Sequence, residues 1–211
     1  MLKPMSNRWS VVIPVKTLVA AKTRLAAATG PYRTRLAVAV ASDTVSAALS
    51  CPLVARVIVV TSDPAAAGPL AGLGAEVVHD PDRGLNTALR TGAAHAVRHG
   101  GPIGALQADL PSLRPAELAI ALAAAAEFDQ AFVPDAQGVG TTFYGVQDGI
   151  RFTPRFGGES RAKHLAGGAK ELCPEGIESV RRDVDTPDDL RAAVALGLGP
   201  HTAEVVRLLW P

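Results

Sequence analysis

Short apolar runs alternate with alanine-rich stretches from the start of the chain as far as Glu127, and this rhythm most constrains the fold. The pattern predicts strands at Val11–Val15, Val57–Thr61, Ala75–His79 and Ile103–Ala108. Between and after them it predicts helices at Arg33–Leu49, Pro64–Leu73, Leu85–His99 and Pro115–Glu127. Strand and helix alternating at this spacing give a mostly parallel sheet with helices on both faces, a Rossmann-like α/β architecture. Ligands of such sheets bind at the carboxyl ends of the strands.

Beyond Glu127 the rhythm changes. Gln130–Pro134 and Thr142–Val146 read as strands around the glycine-rich turn 135–140, and a polar segment, 151–170, follows. Glu178–Val184 reads as a last strand. Thr186 and Pro187 then open a helix as N-cap and first residue, and a short helix is expected over about residues 202–209. No linker-like tract interrupts the 211 residues, so the expectation is a single domain, 1–211, with its core at about 9–197.

Composition removes several classes of function. A net charge of +1 leaves no electrostatic footprint for nucleic acid. Two isolated cysteines, Cys51 and Cys173, form neither a disulfide framework nor a zinc motif. No run approaches the roughly 20 apolar residues of a membrane span, and no apolar signal region opens the chain. The expectation is a cytoplasmic protein.

The first predicted strand empties into a segment carrying Lys16, Lys22 and Arg24. At a strand's carboxyl end, three cations suit a polyphosphate, although lysines and arginines near a helix start are also common on a solvated face. The segment has neither the glycine triad of a dinucleotide site nor a P-loop, so side-chain charge has to hold any phosphate. Two acidic motifs, 108–111 around Asp109 and 181–187 around Asp183 and Asp185, also fall at predicted strand ends. Magnesium needs only one or two carboxylates beside phosphate and water, and Asp109 with Asp185 is the pair chosen, Asp183 being the alternative. A turn-capping role for Asp109 before Pro111 competes with this. Asp188 and Asp189 belong to the first turn of a helix, where they complement its dipole.

Together these motifs resemble one family. Pro14-Val15-Lys16, Ala21-Lys22-Thr23-Arg24-Leu25, Asp82-Arg83-Gly84-Leu85-Asn86, Ala108-Asp109-Leu110-Pro111, Gly140-Thr141-Thr142, Phe156-Gly157-Gly158-Glu159-Ser160 and Asp183-Val184-Asp185-Thr186-Pro187 carry the likeness. They are similar to the guanylyltransferases that activate a phosphorylated three-carbon acid in biosynthesis of the deazaflavin coenzyme F-420. The resemblance implies a GT-A-like nucleotidyltransferase, magnesium, GTP as donor and phosphoenolpyruvate as acceptor, with 2-phospho-L-lactate the alternative acceptor. It places the acceptor at Thr142, Gly157 and Ser160, the metal at Asp109 and Asp185, and nucleotide recognition at the loop holding Gly84 and Asn86. It also suggests handover of a labile product to the next transferase.

Residue chemistry allows each role and a plainer one. Gly157 and Ser160 at a helix start offer N–H donors and a hydroxyl to an anion, while Ser160 is equally an N-cap and Thr142 a strand threonine. Arg155 and Arg161 flank the motif and suit an anionic acceptor or ordinary surface. Asn86 serves a base or caps a helix. His164, one turn beyond Ser160, faces the same pocket or the core. Another nucleotidyltransferase, of the molybdopterin guanylyltransferase type, shares the opening strand and the aspartates but not the 156–160 motif. A non-catalytic nucleotide-binding regulator has no use for the acidic pair.

Overall fold

The computed structural model describes residues 8–16 and 30–210. Lys22 and Arg24 lie outside the described residues, as does the rest of the segment between Lys16 and Gly30. Among the described residues, seven strands form one sheet in the order β3-β2-β1-β4-β6-β5-β7. They are β1 (Trp9–Pro14), β2 (Val54–Thr61), β3 (Glu76–His79), β4 (Ile103–Leu106), β5 (Gln130–Pro134), β6 (Thr141–Val146) and β7 (Lys170–Glu171). The helices are α1 (Arg33–Ser50), α2 (Pro64–Gly72), α3 (Leu85–Ala96), α4 (Pro115–Ala125), α5 (Ser160–Ala166), α6 (Glu178–Arg181), α7 (Pro187–Leu196) and α8 (Pro200–Leu209).

Strand alternation sorts the side chains onto two faces. Val11, Ile13, Val57 and Val59 pack with residues of α1, α2 and α4. Val12, Ile58 and Val60 face the other way, onto Ala88, Leu89 and Ala93 of α3 and onto Phe156. Helices therefore cover both faces, as the alternating rhythm predicts. A third cluster, including Leu36 and Val40 of α1, Leu190 of α7 and Val205 of α8, adds an outer layer on α1.

The direction of one strand decides where the site falls. β1 to β4 run parallel, β6 is antiparallel to both β4 and β5, and β5 therefore runs the same way as β4. The ends of β1, β4 and β5 and the start of β6 consequently share one edge of the sheet. Lys16, Asp109, Asp135 and Thr142 follow or open those strands.

Two expectations fail. Glu178–Val184 is not a strand: Glu178–Arg181 form a single helical turn and the chain is irregular from Arg182 to Asp185. The buried carboxylate of Glu117 accepts from the Ser179 N–H (2.7 Å) and helps to hold the start of that turn, an interaction that apolar periodicity does not reveal. Asp183 and Asp185 thus do not fall at a strand end. The segment 151–170 contains α5, and β7 follows it. At Thr186, in contrast, the expected N-cap is a full capping box with Asp189.

Asp43, a carboxylate in the middle of α1, is buried because it caps α8. Its Oδ1 accepts from His201 N (3.1 Å) and its Oδ2 from Thr202 N (2.7 Å). Asp43→Ala strands these amides in a buried place and is expected to lower unfolding free energy by about 2 kcal/mol in urea titration. An unchanged midpoint contradicts the capping role.

Candidate active site

The 108–110 loop follows β4 and is held from three sides. The buried Thr44 hydroxyl lies 3.0 Å from Val40 O and 3.1 Å from Ala108 O, and it accepts from Leu110 N at 3.1 Å. Asp109 O accepts from Val184 N at 3.0 Å, which docks the 183–185 segment on the end of β4. At the other end of that segment, the Asp189 carboxylate accepts from Asp185 N at 3.2 Å and Thr186 N at 2.8 Å.

This scaffold crowds carboxylates around Asp183. Burial, then the charges of Asp109, Asp135 and Asp185, push the Asp183 carboxyl up to about 7. Asp109 and Asp183 are partly buried and Asp185 is exposed. Asp135 is a member that sequence reasoning left within a turn. It closes that turn by accepting from Val139 N (2.9 Å) and Gly140 N (2.7 Å). A Cβ on Gly140 would stand 2.4 Å from Asp135 Oδ2, so a side chain there would push the carboxylate off these amides. Arg181 reaches the same turn, donating from Nη2 to Asp135 O at 2.9 Å and from Nε to Pro134 O at 3.2 Å. The signal for Asp135 in the sequence is its place at a strand end before a glycine-rich turn.

Beside the carboxylates lies the 155–160 loop. Arg161 N donates to Val139 O at 3.1 Å, which sets the start of α5 against the turn of Asp135. Of the residues expected at an acceptor, Gly157 is exposed, while Ser160 (2% exposed) and Thr142 (0%) lie inside. Arg161 pairs with Glu171 at 3.0 Å. The buried His164 ring stacks on Tyr144 with centroids 4.7 Å apart. Its Nε2 accepts from Arg155 N at 3.0 Å, so the proton of the neutral ring sits on Nδ1, which lies 3.0 Å from Thr141 Oγ1. Its role is to hold the loop from inside.

Asn86, expected at the base, has its carboxamide on Phe156: Oδ1 accepts from Phe156 N (2.8 Å) and Nδ2 donates to Phe156 O (3.0 Å). The neighbouring 80–84 loop is braced by Asp80 Oδ1, which accepts from Asp82 N (2.9 Å), and by Ser62 Oγ, which donates to Asp82 Oδ1 (2.8 Å). Gly84 enters α3 at φ +90°. Lys16 is exposed at the end of β1.

Another set of ligand-type side chains, Glu76, His95 and His99, lies at the opposite edge of the sheet, with ligand atoms within 4.8 Å of one another. Arg56 approaches Glu76 at 3.5 Å, His95 bonds Glu76 at 2.8 Å, and the Arg98 guanidinium contacts His95. Two guanidinium groups make this an ion-pair network ill suited to a further cation.

Carboxylates at the carboxyl ends of an open α/β sheet lie where such sheets bind their ligands, and the family that this chain matches makes the protein a nucleotidyltransferase. The fold matches a nucleotide-diphospho-sugar transferase-like crystal structure from Desulfovibrio desulfuricans with a TM-score of 0.69 at 16% identity, over 95% of this chain and 94% of that one. The chain belongs to the CofC-like guanylyl transferase family, whose model matches residues 9–210. It is 68% identical to a phosphoenolpyruvate guanylyltransferase of Streptosporangium roseum, over 98% of this chain and 96% of the relative. It is 63% identical to one of Thermomonospora curvata, over 92% and 87%. Among the described residues no helix is long and apolar enough to cross a membrane.

The His164 environment has a measurable consequence. Burial lowers its pKa from 6.5 to about 4, so below 6.5 the unfolded chain takes up a proton that the fold refuses. Its contribution to stability is therefore complete above 6.5 and falls away as pH drops toward 4. Asp183 acts in the opposite sense over the same range, which makes the comparison with a variant the informative one. Between about pH 7.5 and pH 5, wild type is expected to lose about 2 kcal/mol more than His164→Phe in metal-free urea titrations. Equal changes in the two proteins contradict a neutral, buried imidazole.

Proposed function

We propose that this chain transfers GMP from GTP to phosphoenolpyruvate, forming enolpyruvoyl-2-diphospho-5′-guanosine and pyrophosphate. The observation that carries this reading is the 68% identity to a phosphoenolpyruvate guanylyltransferase over nearly the full length of both chains. The gathered carboxylates agree with it. Asp109, Asp135 and Asp185 all lie near enough to act on the Asp183 carboxyl, and one or two such carboxylates beside substrate phosphates are the oxygen donors a hard divalent cation such as magnesium takes. Asp109 and Asp185 are assigned to hold it, with Asp183 the alternative to Asp185.

In the reaction, an oxygen of the acceptor phosphate attacks the α-phosphorus of GTP, the bond to the β-phosphate oxygen breaks, and pyrophosphate leaves. A phosphate monoester with a second pKa near 6 is largely ionised at neutral pH, so no side chain has to remove a proton. When bound, magnesium supplies charge neutralisation for the phosphates. Lys16, Lys22 and Arg24 are assigned to the triphosphate, where they stabilise charge arriving on the leaving pyrophosphate. The 80–84 loop with Gly84 is assigned to the nucleoside side. Gly157 at the surface and the buried Thr142 and Ser160 are assigned to the acceptor.

The test is pyrophosphate release by purified protein with magnesium and GTP, offered phosphoenolpyruvate or 2-phospho-L-lactate. Release with phosphoenolpyruvate, abolished by a chelator, is expected; release with 2-phospho-L-lactate alone reassigns the acceptor, and release with neither overturns the reading. Asp109→Asn is expected to lower the rate by about 100-fold or more with the fold retained. Lys22→Ala is expected to raise the KM for GTP about tenfold, through loss of one charge-assisted phosphate contact. Unchanged kinetics in either variant removes that residue from the site.

A further inference from the structure

We infer that Asn86 is a positioning residue for the acceptor loop, acting from the nucleotide side of the site; this rests on the two-substrate reaction proposed above. The carboxamide makes two hydrogen bonds to one residue 70 positions away, accepting from Phe156 N at 2.8 Å and donating to Phe156 O at 3.0 Å. With its acceptor and one of its donors engaged on backbone, the side chain closes a ring like that between paired strands. Gly157 follows Phe156 directly, so the clasp fixes the position from which the first exposed residue of the acceptor motif starts.

The surroundings give the clasp a direction of action. The Phe156 side chain is 5% exposed in the core that includes Leu89 of α3, and the preceding residue is fixed separately by Arg155 N donating to His164 Nε2. Residues 155 and 156 are therefore held from two sides, by α5 through His164 and by α3 through Asn86. Asn86 itself sits in the first turn of α3, two residues after Gly84 and next to the braced loop 80–84. A single side chain thereby ties the loop assigned to the nucleoside to the loop assigned to the acceptor. Aspartate at this position keeps the oxygen that accepts from Phe156 N but sets a second oxygen against Phe156 O; alanine removes both bonds.

Asn86→Ala and Asn86→Asp are to be compared with wild type by amide hydrogen exchange over residues 155–160, calorimetric titration of GTP with magnesium, and steady-state pyrophosphate release. The expected result for Asn86→Ala is exchange at Phe156 about tenfold faster, a KM for phosphoenolpyruvate raised about tenfold, and GTP affinity within about twofold of wild type. Asn86→Asp is expected to lose the acceptor loop as well, because repulsion at Phe156 O offsets the bond it keeps. Unchanged exchange at Phe156 overturns the inference, as does weakened GTP binding with an unaltered KM for phosphoenolpyruvate, which returns Asn86 to the base. Wild-type protein that turns over neither acceptor overturns the proposed reaction instead, and the exchange and GTP titrations still decide the clasp.

Discussion

Mutual repulsion of carboxylates at one edge of the sheet is the constraint around which the rest of the site is arranged. Burial, and then the charges of Asp109, Asp135 and Asp185, carry the Asp183 carboxyl to about 7. Free loops would relax such crowding by moving apart. Here the backbone is held on every side: Thr44 grips both flanks of Asp109, Val184 N bonds Asp109 O, Asp189 accepts from Asp185 N, and Asp135 is locked by two amides of its own turn. Hydrogen bonds formed by neutral groups and by a carboxylate outside the cluster keep charges together that do not attract each other. The arrangement is useful where a cation or a cationic partner supplies the missing compensation.

Topology brings these groups to one place at little conformational cost. Reversal of β6 between β4 and β5 returns β5 to the direction of β4, so that Asp109 and Asp135 leave the sheet at the same edge although a strand lies between them. The start of β6 then falls at that edge also, and the turn 135–140 spans the short gap. Had the strands after Glu127 continued the parallel pattern, a helical crossover would stand where this turn lies. The turn is what lets Val139 O meet Arg161 N and so sets the 155–160 loop beside the carboxylates.

Much of this is legible in the sequence because it depends on local pattern. The strand-helix rhythm marks β1 to β4 and their helices, and the Thr186-Pro187-Asp188-Asp189 run marks a cap that the fold contains in full. What escapes is long-range polar pairing. Glu178–Arg181 reads as strand by composition, but Glu117, 62 residues earlier, holds a helical turn by accepting from Ser179 N. Thr44 sits in an alanine-rich helix with nothing local to separate it from Ser42 or Ser46, and its partners outside that helix are 64 and 66 residues away. Asp43 is indistinguishable by pattern from a surface acid until α8 folds back over it. Periodicity reports which face a residue occupies; it does not report which distant amide a buried oxygen will meet.

The same difference explains Asn86 and His164. Each lies close in sequence to a motif suggestive of ligand chemistry, and each has its polar atoms on the backbone of residues 155–156 or on Thr141. For His164 the geometry also fixes the charge state: a ring nitrogen that accepts from Arg155 N cannot hold a proton, and stacking within Tyr144, Phe132 and Phe156 removes the water that would stabilise imidazolium. A catalytic acid or base needs the opposite, a proton it can exchange with a reacting atom. An attacking phosphate already ionised asks for no such group, so burying the histidine as a brace takes nothing from the proposed chemistry. What that reaction does need is two anionic substrates held at fixed separation while their charges repel. Loops clasped to each other by neutral amide and imidazole groups meet that need without adding charge that either substrate would have to displace.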